Sequence, residues 1–134
     1  MFDIAREAIG DLMTRVRLTS ADLLDRNWTS RLANQPGAII STWALHDLAS
    51  ERAIADVYAA CHQTLPQTGV LVNGDFIKPD GTRFAYEAGR IPIGRHLELL
   101  MAAGFEEPKC LAYLEPNMDA PTPANNYACF FAER

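Results

Sequence analysis

His46 is the side chain with the most obvious chemistry in this sequence, and Asp47 follows it directly. An imidazole exchanges a proton near neutral pH, and a carboxylate within reach could orient the ring for acid/base work. Adjacent residues on one backbone point in divergent directions, so His46 and Asp47 could equally be two separate polar groups. Asp75 is a further carboxylate, placed where an apolar run turns polar. It either serves a ligand or is a solvated strand end. His62 and His96 lie inside helical patterns and read as structural or solvated side chains. No HExxH, CxxC or clustered carboxylates occur, so a metal site is not expected. The absence of GxSxG removes an α/β-hydrolase reading. Cys61, Cys110 and Cys129 are odd in number and scattered through apolar stretches, as expected of buried free thiols in a reducing compartment.

The elements that position these residues are most legible between Gly37 and Phe76. Ala38-Ile39-Ile40-Ser41-Thr42 reads as a short strand that ends abruptly in Trp43-Ala44-Leu45-His46-Asp47-Leu48. A helix follows to about Leu65, with Asp47 or Ser50 as its cap and Ile54, Val57, Tyr58, Cys61 and Leu65 as its apolar stripe. Pro66 and Gly69 stop it. Gly69 to Phe76 then repeats the pattern of an apolar run with a polar tip. Parallel strands joined by a crossover helix bring both tips to one sheet edge, where open α/β folds bind ligands. No Gly-x-Gly occurs anywhere, so the usual nucleotide-cradling loop is absent from this sequence.

The remaining segments read as follows. Phe2, Ile4, Ala5, Ala8, Ile9, Leu12 and Met13 form the core-facing stripe of an opening helix. Val16 to Thr19 alternates like a short strand, and Trp28 to Ala33 suits a helical turn. Asn34-Gln35-Pro36-Gly37 and Lys78-Pro79-Asp80-Gly81-Thr82 are turns, and residues 83–93 are loop-like. Arg95 to Ala103 forms a second amphipathic helix closed by Gly104 in the left-handed conformation. Strands are expected at Lys109 to Leu114 and Tyr127 to Ala132, separated by a surface loop from Glu115 to Asn126.

At 134 residues, with 49% apolar and 22% charged side chains, the sequence suits one soluble domain with a real core. The formal charge of -5 gives no electrostatic footprint for nucleic acid. No apolar stretch approaches the roughly 20 residues that span a bilayer, and Met1 to Glu7 does not read as a signal peptide. A cytoplasmic protein is expected.

The motifs DLLDRNW, AIISTWALHDL, LPQTGVLVNGDF and HLELLMAAGFEEP, in that order, carry a resemblance. Across nearly all of its length the chain resembles the later half of a class I S-adenosylmethionine-dependent methyltransferase, particularly the small-molecule and O-methyltransferase-like branch. The resemblance implies an α/β, partial Rossmann-like fold: a mixed sheet with an antiparallel C-terminal strand pair, and no counterpart of the first two strand–helix units. Residues 1–134 would then form a single truncated methyltransferase-like domain.

By the same resemblance, Asp22 would meet the adenine amino group and Leu23 would cover the ring, the alternative for Asp22 being a cap on a turn. Thr42 and Trp43 would line the methionine end of the cofactor, or Trp43 would simply cover the sheet end. His46 would be the base or would pack at the start of the following helix, and Asp75 would orient a substrate hydroxyl. A small-molecule acceptor is implied. S-Adenosylmethionine is the implied cofactor, with weak or no binding expected in a chain lacking the Gly-rich turn and the ribose-binding acid. The family's strand order also implies an uncovered edge on the Ala38–Thr42 strand, paired in a homodimer or with a missing-half partner. Two functions follow: an incomplete methyltransferase, or a non-catalytic remnant serving as a dimerisation or interaction module.

Overall fold

The computed structural model describes residues 2–48, 50–122 and 124–134. Helix α1 (Phe2–Ile9) runs into a 3-10 turn at Gly10–Arg15, and a second 3-10 turn occupies Trp28–Arg31. Strand β1 (Ala38–Thr42) and a 3-10 turn at Leu45–Asp47 precede α2 (Glu51–Thr64) and β2 (Val70–Phe76). Helix α3 (Ile93–Ala103) leads to β3 (Glu106–Leu114) and β4 (Tyr127–Glu133).

The described strands form one sheet in the order β1-β2-β4-β3. β1 and β2 run parallel, with Thr42 opposite Gly74, whereas β2–β4 and β3–β4 are antiparallel. The strands and helices after Gly37 thus lie within a few residues of their expected bounds. Helix α2 forms because Ser50 caps it, its hydroxyl accepting the Ala53 N–H at 3.2 Å. All five residues of its expected stripe are buried against Leu71, Ala128, Phe130 and Ala132 on one face of the sheet. Each such side chain contributes about 1.5–3 kcal/mol. Burial of Cys61 in this layer pushes its thiol up to about 12. Gly104 ends α3 at φ 106°, as its place in the sequence requires.

In the first 37 residues the opening helix and the turn at Trp28 form as expected, but two other features differ. Val16–Thr19 forms no strand, since no neighbouring strand presents an edge to it. Helix α1 buries none of its residues, and Ile4 is 73% exposed. The amphipathic pattern was correctly read as a helix, but it meets no partner face among the described residues.

Two polar assemblies are buried, one at the end of the sheet and one in the core. The loop between β3 and β4 is organised by Asn126, fully buried at φ 62°. Its amide oxygen accepts from the Tyr113 hydroxyl and the Asn117 N–H, and its amide nitrogen donates to the Asn117 carbonyl. In the core, Asn73 donates to the Tyr58 hydroxyl at 3.1 Å, and the same hydroxyl is hydrogen-bonded to His96 Nδ1 at 2.8 Å. His96 also lies against the Phe130 ring, at 4.5 Å between centroids. Burial lowers the His96 pKa from 6.5 to about 4.

That shift has a defined pH consequence. The unfolded chain takes up the His96 proton below about pH 6.5, while the folded chain resists it until about pH 4. The stabilisation is therefore complete above 6.5 and is lost as pH falls toward 4. In urea unfolding, lowering the pH from 7 to 4.5 should cost the native sequence about 2–3 kcal/mol more than it costs His96→Phe. Equal losses would show that His96 is not held neutral by the core.

Candidate functional site

At the tip of β1 the chain reverses sharply. Trp43 takes φ 53°, an uncommon conformation for a bulky residue, and donates its N–H to the Gly74 carbonyl at 2.9 Å. The next residues wind into the Leu45–Asp47 turn, anchored by the buried Leu45 side chain. The parallel register of β1 and β2 brings this turn over Asp75 at the end of β2.

Asp75 is 0% exposed and accepts four hydrogen bonds. Oδ2 receives the N–H groups of Leu45 at 2.8 Å and His46 at 3.1 Å. Oδ1 receives His46 Nδ1 at 2.6 Å and the Phe76 N–H at 2.9 Å. A carboxylate can only accept, so His46 Nδ1 carries the proton and the lone pair resides on Nε2. Asp47 Oδ1 lies 3.4 Å from Nε2, with its side chain largely in solvent. Only the buried carboxylate holds the neutral ring; the exposed Asp47 would bond Nε2 once that nitrogen is protonated.

Asp75 differs here from both of its sequence readings. It is not a solvated strand end, and its filled acceptor positions leave it holding His46 rather than facing a substrate hydroxyl. His46 and Asp47, expected to diverge, are brought within reach of each other by the tightness of the 3-10 turn.

Aromatic rings wall the site. Phe76 meets the His46 ring edge-on at 5.2 Å, with Trp43 and Tyr127 packed beside it at 5.9 Å and 5.6 Å. The Arg90 guanidinium lies 4.9 Å from the Phe76 centroid. Gly89 passes so close to the His46 carbonyl that a Cβ there would sit 2.3 Å away, so the loop before α3 reaches this position only with glycine.

The positions read as cofactor-binding are split between two places. Asp22 is exposed and caps its own turn, accepting the Leu24 N–H at 2.9 Å. Leu23 and Thr42 line a cleft of about 350 Å³ between the segment around Trp28, β1 and α2. Thr42 also lines a second recess with Trp43, on the Phe76 side.

No protein-family model matches the chain, and no curated protein matches it. Solved structures do match. An O-methyltransferase family protein from Burkholderia thailandensis superimposes with a TM-score of 0.69 at 18% identity, over 98% of this chain and 40% of that one. Human N-acetylserotonin methyltransferase in complex with S-adenosylmethionine gives 0.60 at 13% identity, over 87% and 33%. The S-adenosylmethionine-dependent methyltransferase SibL gives 0.67 at 14% identity, over 99% and 40%. The chain spans less than half the length of each. Its fold is that of the C-terminal part of class I S-adenosylmethionine-dependent methyltransferases.

The described residues show no glycine cradle for that cofactor. At Gly74 and Gly89, where a Cβ would clash, the space is already taken by the Tyr127 hydroxyl and the His46 carbonyl, so neither glycine opens a cradle. Asp22 spends one carboxylate oxygen on its own turn. What the geometry does supply is an oriented imidazole beside an aromatic recess.

Because Asp75 holds three backbone N–H groups as well as the imidazole, Asp75→Ala should destabilise the fold by about 3–5 kcal/mol. Asp75→Asn should cost less, since its amide oxygen still accepts. Urea midpoints at constant slope measure both, and a change under 1 kcal/mol for Asp75→Ala would contradict this role.

Proposed function

We propose that this chain is the acceptor-side part of an S-adenosylmethionine-dependent methyltransferase for a small molecule, with His46 as the general base. The observation that carries the reading is the 2.6 Å contact between His46 Nδ1 and the buried Asp75. That contact leaves Nε2 as the free basic atom. In this reading Nε2 takes the proton of an acceptor hydroxyl as its oxygen becomes nucleophilic. Asp75 keeps the ring in the required tautomer. Asp47 offsets the charge of the imidazolium that forms. The methyl electrophile belongs to the cofactor, and no part of its binding is assigned to these residues; the chain alone is expected to bind it weakly or not at all.

Methyl transfer to hydroxylated acceptors, assayed in a polypeptide that joins this chain to a cofactor-binding half, tests the assignment. His46→Gln should lower kcat about 10²–10⁴-fold for poorly acidic acceptors and much less for acidic ones that ionise unaided. An unchanged kcat across the acceptor series would contradict it.

A second reading, an interaction module, draws on a different feature. Among the described strands β1 is an edge of the sheet, and Ile40 on it is 72% exposed. An apolar edge of this kind is a template for another strand. A homodimer, or pairing with a chain that supplies the missing half, would cover it. Light scattering should give a dimer at micromolar concentration that Ile40→Lys weakens; a monomeric native chain would contradict the homodimer.

A further inference from the structure

The recess on the Phe76 side of the strand tips has a volume of about 470 Å³ and an unusual lining. Trp43, Phe76 and Tyr127 supply aromatic walls, Leu114 adds aliphatic surface, and Glu115 brings the one carboxylate among the described lining residues. Trp43 and Glu115 both hold positive φ, 53° and 49°, in a part of backbone space that non-glycine residues seldom occupy. Such outliers concentrate where a side chain must be aimed for function. Neighbouring contacts fix both. The Trp43 N–H bonds to Gly74, and the Glu115 carbonyl accepts from the buried Asn126. Gly74 is required for the same construction, because a Cβ there would lie 2.0 Å from the Tyr127 hydroxyl.

Aromatic faces carry a negative quadrupole, and a carboxylate at their border adds a full negative charge. Among the described residues, no cationic side chain lines the recess. Arg90, paired with Glu87 at 3.5 Å, already lies over the Phe76 ring, so the exposed Trp43 and the Glu115 carboxylate are the groups left to meet a ligand cation. The formal charge of -5 favours the approach of cations over anions. Phe76 also touches His46, so the recess and the proposed base share a wall.

Building on the reading of this chain as the acceptor side, we propose that the recess binds the acceptor, and that the acceptor is a small organic cation. Its ammonium group sits between Trp43 and Glu115, with its apolar body along Tyr127 and Leu114. A neutral ring would stack on the same walls without using Glu115. An anion would meet that carboxylate unfavourably.

Binding of three probes of one shape separates these cases: tyramine, the neutral alcohol tyrosol, and 4-hydroxyphenylacetate. Isothermal calorimetry on the full chain should give tyramine at least tenfold tighter binding than tyrosol, with 4-hydroxyphenylacetate weakest. Glu115→Gln should reduce the amine preference to under threefold while leaving tyrosol affinity unchanged, and Trp43→Leu should weaken tyramine at least fivefold. Equal binding of tyramine and tyrosol, tighter binding of the anion, or no binding of any probe to the folded chain would each overturn the proposal. These measurements need neither cofactor nor turnover. A failed charge preference therefore counts against this proposal alone, while loss of the His46 effect on kcat counts against the proposed chemistry alone.

Discussion

The carboxylate of Asp75 is the constraint on which this end of the molecule depends. It lies fully inside the protein and meets four donors, three from the backbone and one from His46. A buried carboxylate without such partners would cost several kcal/mol, so the donors and the acid require one another. The turn at Leu45–Asp47 closes because Asp75 receives its N–H groups. The imidazole orientation follows from the same bond set. A single buried charge thus joins backbone geometry to the placement of the titratable group.

The rest of the fold serves to make that meeting reproducible. Parallel pairing of β1 with β2 fixes Thr42 opposite Gly74, which sets the turn over Asp75. Helices α2 and α3 bury the sheet face that carries Asp75, and Arg95 links them at the surface, bonding Glu51 at 2.7 Å and Glu98 at 2.6 Å. Such exposed pairs contribute modestly, so apolar burial carries the stability of this layer. On the other side of the tips, Asn126 shapes the loop that presents Glu115 to the recess.

Much of this was legible in the sequence where local signals and tertiary packing agreed. The stripe Ile54–Leu65, the cap at Ser50, Gly104 and the two apolar runs each specify an element with its own physical cause. The helix of α1 was legible for the same reason, but its burial was not, because periodicity says nothing about whether a partner face exists. Val16–Thr19 failed as a strand because alternation is only half of a strand; a paired edge is the other half. At the site, sequence adjacency suggested His46 with Asp47, while the deeper partner is Asp75, a full strand–helix–strand away. The β1–β2 register held that information, since residues just beyond opposed positions must meet. The roles of Asn126 and Tyr127 carried no local pattern, arising only when antiparallel pairing folds their segments onto the strand tips.

Asp75 fixes His46 with its proton on Nδ1, leaving Nε2 as the proposed base. The most direct test is nitrogen-15 NMR of the imidazole ring in the folded chain at mildly alkaline pH, where the two ring nitrogens report their protonation separately. His46 should show a protonated Nδ1 and an unprotonated Nε2, with that preference lost in Asp75→Ala. A proton found on Nε2 in the native chain would contradict it.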